Sequence, residues 1–299
     1  MEHKKWVRQL PLHLMILPGL LFLIVYSYGP MVGIVIAFQK FSPAKGLFGS
    51  SWVGWDNFSF LFDLPNIYRV ISNTIYIASM KIIAGLVVPI VVSILLNELK
   101  KEFIKRSVQT LIYLPHFMSW IILGGILIDI LSPSHGIANQ FLKFLGFDPI
   151  FFLGSNRIFP YTLVVSDLWK EFGFSTIVYL AALTGINPSL YEAAVMDGAN
   201  RWKQTLHITL PGMLPIIVLL ASLSIGQILN AGFDQVFNLY SPIVYDSGDI
   251  IDTLVYRIGI EGAQFSLATA IGLLKSFVSL LFISLSYFLA YRFADYRIF

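Results

Sequence analysis

Six long stretches of apolar residues alternate with short polar segments along the chain. Each stretch has the roughly 20 mostly apolar residues that a helix needs to cross the hydrocarbon core of a membrane. The pattern predicts an all-α membrane protein with six transmembrane helices in a single transmembrane domain over residues 1–299. The predicted spans cover residues 14–38, 72–97, 108–130, 159–184, 211–233 and 265–291.

The composition agrees with a chain that faces lipid over much of its surface. Hydrophobic residues make up 57% of the sequence and charged residues only 12%, whereas a soluble domain carries about 25% charge. The net charge of +3 is small, and no basic cluster with interleaved aromatic residues appears. We therefore expect membrane lipid as a partner and no nucleic acid.

The first apolar stretch follows the basic residues Lys4, Lys5 and Arg8, an order that secretory signal peptides also show. The stretch is longer than a signal-peptide core, and no small-residue cleavage site follows a short core. It therefore predicts an uncleaved span. Pro18 and the pair Gly29–Pro30 predict that this first helix is bent or broken.

The distribution of Lys and Arg predicts the orientation in the membrane, because cytoplasmic loops carry an excess of these residues. Basic residues are more numerous before residue 14, in 98–107, in 185–210 and after 291 than in the alternate segments. Both termini are therefore expected in the cytoplasm. The loop between the fourth and fifth spans is expected there as well.

This loop has the pattern of two short helices joined by a turn. Pro188 suits the first turn of a helix, and Gly198 suits its end. Tyr191, Val195, Met196 and Trp202 supply apolar surface. No other segment of the chain is available to cover a cytoplasmic projection of this kind, which indicates a partner protein.

The same loop carries the pattern Glu192-Ala193-Ala194, then Gly198, then Ile208-Thr209-Leu210-Pro211, with Asp197 and Ala199 beside the glycine. It resembles the signature loop of ATP-binding-cassette (ABC) import permeases, in residue identities and in spacing. Within that family the chain is most similar to the maltose-type and complex-saccharide group. The matching stretches are Tyr28-Gly29-Pro30, Gln39-Lys40-Phe41, Asn73-Thr74, Tyr113-Leu114-Pro115 and 268–275.

The resemblance implies that the loop is a coupling helix that sits in a cleft of a separate ATPase. It also implies a second permease subunit, which we expect to form a heterodimer with this chain, two ABC ATPase subunits and an extracytoplasmic solute-binding protein. Such an assembly imports an oligosaccharide across the bacterial cytoplasmic membrane by alternating access. The implied ATPase-coupling residues are Tyr191, Glu192, Ala193, Ala194, Asp197, Gly198, Ala199, Ile208, Leu210 and Pro211.

The chain is not expected to be an enzyme. It contains no Gly-x-x-x-x-Gly-Lys-Ser/Thr phosphate loop, so ATP with Mg²⁺ is expected on the partner ATPase and no cofactor on this chain. The histidines have no spacing typical of a metal site, and no catalytic residues are predicted. His116, beside Pro115, is interpreted as a helix-packing residue.

Several polar residues lie within the predicted spans or at their outer ends, where ionisable groups are expensive and often functional. They either form an ion-pair network that holds the helices together or line a cavity that binds sugar hydroxyls or a uronate carboxylate. Trp169 either stacks on a sugar ring or packs against neighbouring helices. The substrate-path candidates are Lys81, Trp169, Lys170, Glu171, Gln227, Asn230, Asp234 and Lys275.

The main alternative is a secondary transporter driven by an ion gradient, which the charges within the spans would suit. Against it stand the matched cytoplasmic loop, the six predicted spans and the lack of a visible inverted repeat. An intramembrane enzyme or scaffold has no motif in its favour. ATP-dependent uptake that stops when the ATPase is removed would distinguish the first two classes.

Overall fold

The chain is almost entirely helical in the computed structural model, which describes residues 2–294 and the side chains of 10–288 and 291. The α-helices are α1 Glu2–Leu23, α2 Gly46–Gly49, α3 Asp56–Phe62, α4 Ile67–Asn97, α5 Glu102–Tyr113, α6 Trp120–Ile130, α7 Ile137–Phe144, α8 Phe159–Thr184, α9 Pro188–Met196, α10 Arg201–Gln204, α11 Leu210–Ile225, α12 Phe233–Leu239, α13 Tyr245–Gly248, α14 Ile251–Tyr256 and α15 Phe265–Ala294.

Shorter elements of other types connect or extend these helices. Two strands, β1 Gln39–Lys40 and β2 Ser51–Trp52, pair antiparallel, with Gln39 opposite Trp52. Among the described residues, three segments are 3-10 helices and three are π-helices. The 3-10 segments are Gly29–Phe38, Leu114–Phe117 and Pro242–Val244, and the π segments are Ile24–Tyr28, Thr205–Thr209 and Arg257–Glu261.

Four helical segments of the described chain are long and apolar enough to cross a membrane: Leu10–Phe38, Ile67–Asn97, Arg201–Ile225 and Phe265–Phe288. A fifth candidate is the bent pair of helical segments Glu102–Phe117 and Trp120–Ile130. Helix α8 is also long enough, at 26 residues, but three charged residues at its centre make it less apolar than these candidates. The predicted helices are thus present, while the count of six spans, the orientation and the single domain over 1–299 stay predictions.

The third predicted span, 108–130, is not a continuous helix. The chain bends by 105° between Phe117 and Trp120, because Met118 and Ser119 have extended backbones. The side chain of Ser119 caps α6 by accepting from the Ile122 amide at 3.4 Å. Pro115, which lacks an amide hydrogen, lies just before the bend in the 3-10 segment.

The fifth predicted span, 211–233, is displaced toward the N-terminus. The helical segment begins at Arg201 and ends at Ile225, and Pro211 lies inside it. The π segment Thr205–Thr209 directly precedes this proline, and such bulges accommodate a break in the hydrogen-bond ladder. The residues from Gly226 to Gly232 form turns before α12.

The described residues pack into two compact units. The first comprises the described residues up to Pro65 together with Val255–Leu274. Its long N-terminal helix changes from α to π at Ile24 and to 3-10 at Gly29, so the predicted change at Gly29–Pro30 is present, whereas Pro18 stays within α1. The side-chain amide of Asn57 ties this helix to α3 by donating to the Ala37 carbonyl at 2.8 Å.

The second unit comprises Asn66–Leu254 and the described residues from Lys275 onward. Its core forms around the pair α4 and α8, onto which α12 and the segment before α14 pack. The largest buried side chains at this centre include Ile77, Phe159 and Leu163. A second cluster, Tyr179, Leu183 and Met213, joins α8 to α11. This unit holds the coupling loop and all eight substrate-path candidates.

Candidate functional site

The predicted coupling loop forms a helical knob made of α9, a tight turn and α10. The side chain of Asn187 caps α9 by accepting from the Ser189 amide at 3.1 Å. The helix ends in a Schellman motif: the Ala199 amide donates to the Ala194 carbonyl at 2.8 Å, and the Gly198 amide donates to the Val195 carbonyl at 3.0 Å. Gly198 has φ +74°, a conformation that glycine adopts without steric cost.

The knob is tied to the rest of the second unit by side-chain contacts. The Tyr191 hydroxyl lies 3.0 Å from the Thr209 hydroxyl. Within the knob, the buried amide of Gln204 donates to the Ala199 carbonyl at 2.9 Å. Arg201 pairs with Glu98, at the end of α4, at 3.4 Å. Tyr191 thus connects α9 to the helix that continues into α11, while the exposed Arg201–Glu98 pair adds a weaker contact to the end of α4.

The outer surface of the knob is apolar and open. The exposed fraction is 87% for Met196 and 74% for Trp202, and Leu190 and Val195 are also exposed. Glu192 is exposed and has no ion pair among the described residues. Such a patch marks a protein interaction site more often than a free surface. The individual roles of the ten coupling residues stay predictions.

The charged candidate Lys81 lies at the centre of a polar network between α4, α8 and α12. Its ammonium donates to the Asp167 carboxylate at 3.2 Å and to the Ala231 carbonyl at 2.7 Å. It also donates to the side-chain oxygen of Gln235. Gln235 is buried, and its amide donates to the Leu163 carbonyl at 2.7 Å and the Ser166 hydroxyl at 2.8 Å.

A second network joins α8 to the 3-10 segment before the bend. The buried ammonium of Lys170 donates to Glu171 at 2.7 Å and to the His116 carbonyl at 3.0 Å. His116 Nδ1 lies 2.7 Å from the other Glu171 oxygen. The His116 ring also stacks on Phe174, with ring centroids 4.0 Å apart. His116 therefore packs as predicted, and it also makes a polar contact that the prediction missed.

Three further candidates, Lys275, Gln227 and Asn230, take no part in these networks. Lys275 pairs with Asp252 of α14, and this ion pair was not predicted. Gln227 and Asn230 were placed at the end of the fifth span, but they lie in the turns after Ile225, where both are exposed. They hydrogen-bond to each other at 3.4 Å. Asp234, expected at the same place, lies on α12.

A cavity of about 550 Å³ with both apolar and polar lining residues, which we call the Lys170 cavity, lies where α6, α8 and α12 meet. It brings together two of the eight candidates, Lys170 and Asp234. Trp120 and Asn238 also line it, and sequence reasoning missed both. The full lining is Met118, Ser119, Trp120, Ile121, Lys170, Phe233, Asp234, Phe237 and Asn238.

Trp169 lines a different cavity. This second cavity, which we call the apolar cavity, has a volume of about 290 Å³ and is lined by Leu127, Leu131, Phe152, Ile158, Tyr161, Thr162, Val165, Ser166 and Trp169. Since neighbouring residues on a helix point in different directions, Trp169 and Lys170 do not share a site. Within the described part of the chain, no group of three or more His, Asp or Glu residues could hold a metal ion.

Apolar helices of membrane-spanning length, charge networks between them and a fixed helical knob with an open apolar surface together define a membrane-embedded transport subunit. The chain belongs to the family of binding-protein-dependent transport system inner membrane components, whose sequence model matches residues 82–297. It is therefore a multi-pass membrane permease and not an enzyme, as predicted. Family membership also excludes the ion-gradient-driven transporter that was kept as the alternative.

One relative and two solved structures show how closely the family members agree. The polygalacturonan/rhamnogalacturonan transport system permease protein YteP of Bacillus subtilis (strain 168) is 41% identical, over 97% of this chain and 91% of the relative. A bacterial ABC transporter involved in the import of the acidic polysaccharide alginate has a TM-score of 0.89 at 36% identity, over 97% of this chain and 98% of that chain.

The alginate transporter has also been solved in complex with an alginate pentasaccharide-bound periplasmic protein. That chain matches with a TM-score of 0.90 at 35% identity, over 99% of both chains. The prediction of a permease that works with a solute-binding protein is thus confirmed at the level of the family.

Proposed function

We propose that this chain is one permease subunit of an ABC importer that carries an oligosaccharide across the bacterial cytoplasmic membrane. Two ABC ATPase subunits, which bind ATP with Mg²⁺, would supply the energy, and an extracytoplasmic solute-binding protein would deliver the substrate. The names of YteP and of the alginate transporter support a saccharide substrate. Both names refer to polymers that contain uronic acids, which supports a uronate-containing oligosaccharide.

In this proposal the chain crosses the membrane six times and has both termini in the cytoplasm. Helix α8 is the least apolar of the six spans, because charged residues lie at its centre. At 26 residues and about 1.5 Å per residue it is about 39 Å long, which exceeds the roughly 30 Å of hydrocarbon core. A second, different permease would complete the translocation path and shield the polar side of α8 from lipid.

The observation that carries the proposed coupling is the contact between α9 and the segment that continues into α11. The apolar outer surface of the knob is free to enter a cleft of the ATPase, while Tyr191 and Arg201 tie the knob to α11 and α4. When ATP binding draws the two ATPase subunits together, the knob would move as one body with these helices. The helices would then open the translocation path alternately to the two sides of the membrane.

Replacement of Glu192 tests this proposal. Glu192→Lys reverses a charge on the exposed surface of α9, so ATPase association and uptake of the oligosaccharide should both fall at least tenfold in proteoliposomes that contain the full complex. Asp148→Lys is a matched control, because it reverses the charge of an exposed carboxylate outside the knob. Unchanged association and uptake in Glu192→Lys would show that α9 is not the docking element.

The substrate class is tested separately. The complex with its binding protein is supplied with labelled oligosaccharides of matched length, one set composed of uronic acids and one composed of neutral sugars. ATP-dependent uptake of the uronate set is expected. Uptake confined to the neutral set would overturn the uronate assignment, and uptake of neither set would overturn the saccharide assignment.

A further inference from the structure

We propose that the Lys170 cavity is a subsite for a single sugar ring of the substrate, in which Trp120 is the stacking face and Asp234 and Asn238 bind ring hydroxyls. This inference rests on the proposed oligosaccharide substrate and assigns specific groups to it. The cavity volume of about 550 Å³ lies within the range of small-molecule pockets.

The first support comes from the aromatic residue. Trp120 packs against the core of the second unit and also lines the cavity. The Lys170 ammonium lies 5.7 Å from the centre of its ring. An aromatic side chain held in place by packing on one side and open on the other offers a fixed apolar face. The C–H face of a pyranose ring is the apolar surface that such a side chain would contact.

The second support is the set of polar groups around this ring. The Lys170 side chain is only 9% exposed, and the structure gives its ammonium two acceptors, Glu171 and the His116 carbonyl. An ammonium has three N–H donors, so one remains for a ligand in the cavity. Asn238 donates one amide hydrogen to the Asp234 carbonyl at 2.7 Å, which leaves its side-chain oxygen as an acceptor.

The third support concerns charge. The Glu171 carboxylate, 2.7 Å away, already compensates the charge on Lys170. The exposed carboxylate of Asp234 therefore leaves the lining with an excess of negative charge. Like charges repel each other, so the carboxylate of a uronate ring would lie on the side away from Asp234, and the ring hydroxyls would face the lining. Hydroxyl groups both donate and accept, and they match the mixed lining of carboxylate, amide and ammonium.

The test uses proteoliposomes that contain the complete complex with its binding protein. Trp120→Leu keeps apolar volume but removes the aromatic face, and Trp120→Phe keeps an aromatic face. We expect oligosaccharide uptake to fall roughly tenfold in Trp120→Leu, as for loss of a central aromatic contact, and to fall less than threefold in Trp120→Phe. ATP hydrolysis stimulated by unliganded binding protein should stay within twofold of wild type in both.

Trp55→Leu is the matched comparison, because Trp55 is exposed and does not line the Lys170 cavity; its uptake should change less than twofold. Equal loss in Trp120→Leu and Trp120→Phe would assign Trp120 a purely structural role and overturn the proposal. So would greater loss in Trp55→Leu than in Trp120→Leu. These outcomes differ from failure of the proposed function, in which the wild-type complex itself takes up no oligosaccharide.

Asp234→Asn tests the charge argument in the same assay. It keeps a hydrogen-bonding side chain and removes the negative charge, so the ratio of uptake for uronate-rich over neutral oligosaccharides should rise severalfold. A fall in this ratio would show that the Asp234 carboxylate does not repel acidic substrate in the cavity. It would therefore overturn the assignment of the polar lining to hydroxyl groups.

Discussion

The ammonium of Lys81 joins three parts of the chain that are far apart in sequence. It contacts Asp167 on α8, the carbonyl of Ala231 and the side chain of Gln235 on α12. Gly232 passes so close that a Cβ there would lie 3.0 Å from the ammonium. Such a network holds α12, and hence one wall of the Lys170 cavity, in a fixed position on α8.

Loss of the Lys81 charge should therefore destabilise the second unit. In Lys81→Met, Asp167 and Gln235 lose their partner in a largely buried site, which should lower the free energy of unfolding by about 3 kcal/mol. Thermal unfolding of the purified complex in detergent measures the change. Arg106→Met is the control, because Arg106 and Glu102 form an exposed pair at 3.9 Å and the expected change is below about 1 kcal/mol. Equal melting temperatures for the two variants would contradict the prediction.

Sequence reasoning at this scale found the charged residues but not their partners. It considered an ion-pair network, yet Gln235 lies 154 positions from Lys81, and nothing in the local pattern links the two residues. Asp252 likewise lies 23 positions from Lys275, outside the predicted sixth span. Trp120 was missed because it lies in an apolar stretch. It lines a cavity only because the chain bends at Met118–Ser119.

At the scale of the elements, close contacts between helices depend on particular glycines. Gly173 of α8 packs against the Ile112 carbonyl of α5, where a Cβ would overlap the backbone. The contact brings α5 and α8 together next to the bend, and His116 and Glu171 interact across the same region. Gly125 of α6, in contrast, has open space around its Cα.

These two glycines give a matched pair of substitutions. Gly173→Ala forces the backbones of α5 and α8 apart and should destabilise the complex by about 1–3 kcal/mol. Gly125→Ala adds a methyl group into open space, and alanine favours a helix over glycine by about 1 kcal/mol, so its melting temperature should stay the same or rise. Similar destabilisation by both would show that α5 and α8 are not packed through Gly173.

The elements themselves were largely predictable, because long apolar runs strongly constrain a chain in a membrane. The residues at which the helices begin and end were less predictable. No charged residue occurs between Ile225 and Phe233, so the absence of charge gave no sign that the helix ends at Ile225. The bend after Phe117 had a local signal in Pro115 and Ser119, but a proline is tolerated inside many membrane helices.

At the scale of the whole molecule, the chain combines exposed apolar helices with very few charges. The segment Leu10–Phe38 is apolar and almost entirely exposed, as lipid contact or a partner subunit requires. The orientation, however, depends only on the distribution of basic residues. The sequence contains no cysteine, so any single cysteine that is introduced becomes the only thiol of the chain.

Thiol labelling therefore tests the proposed orientation directly. Lys100→Cys, at an exposed position of the segment 98–107, should react with a membrane-impermeant maleimide in inside-out vesicles and not in intact cells. Phe48→Cys, at a fully exposed position of the first unit, should show the opposite pattern. Labelling of both positions from the same side of the membrane would contradict six spans with both termini in the cytoplasm.

The short helix after the bend has a consequence for how the chain enters the membrane during synthesis. Helix α6 has 11 residues and is about 16 Å long, roughly half the thickness of the hydrocarbon core. Partition into lipid cannot hold so short a segment in a spanning position, and its free amide ends need protein partners. Because α12 packs on α6 and Asn238 of α12 meets Gly124, α6 is expected to reach its final depth only after residues up to Leu239 have been made.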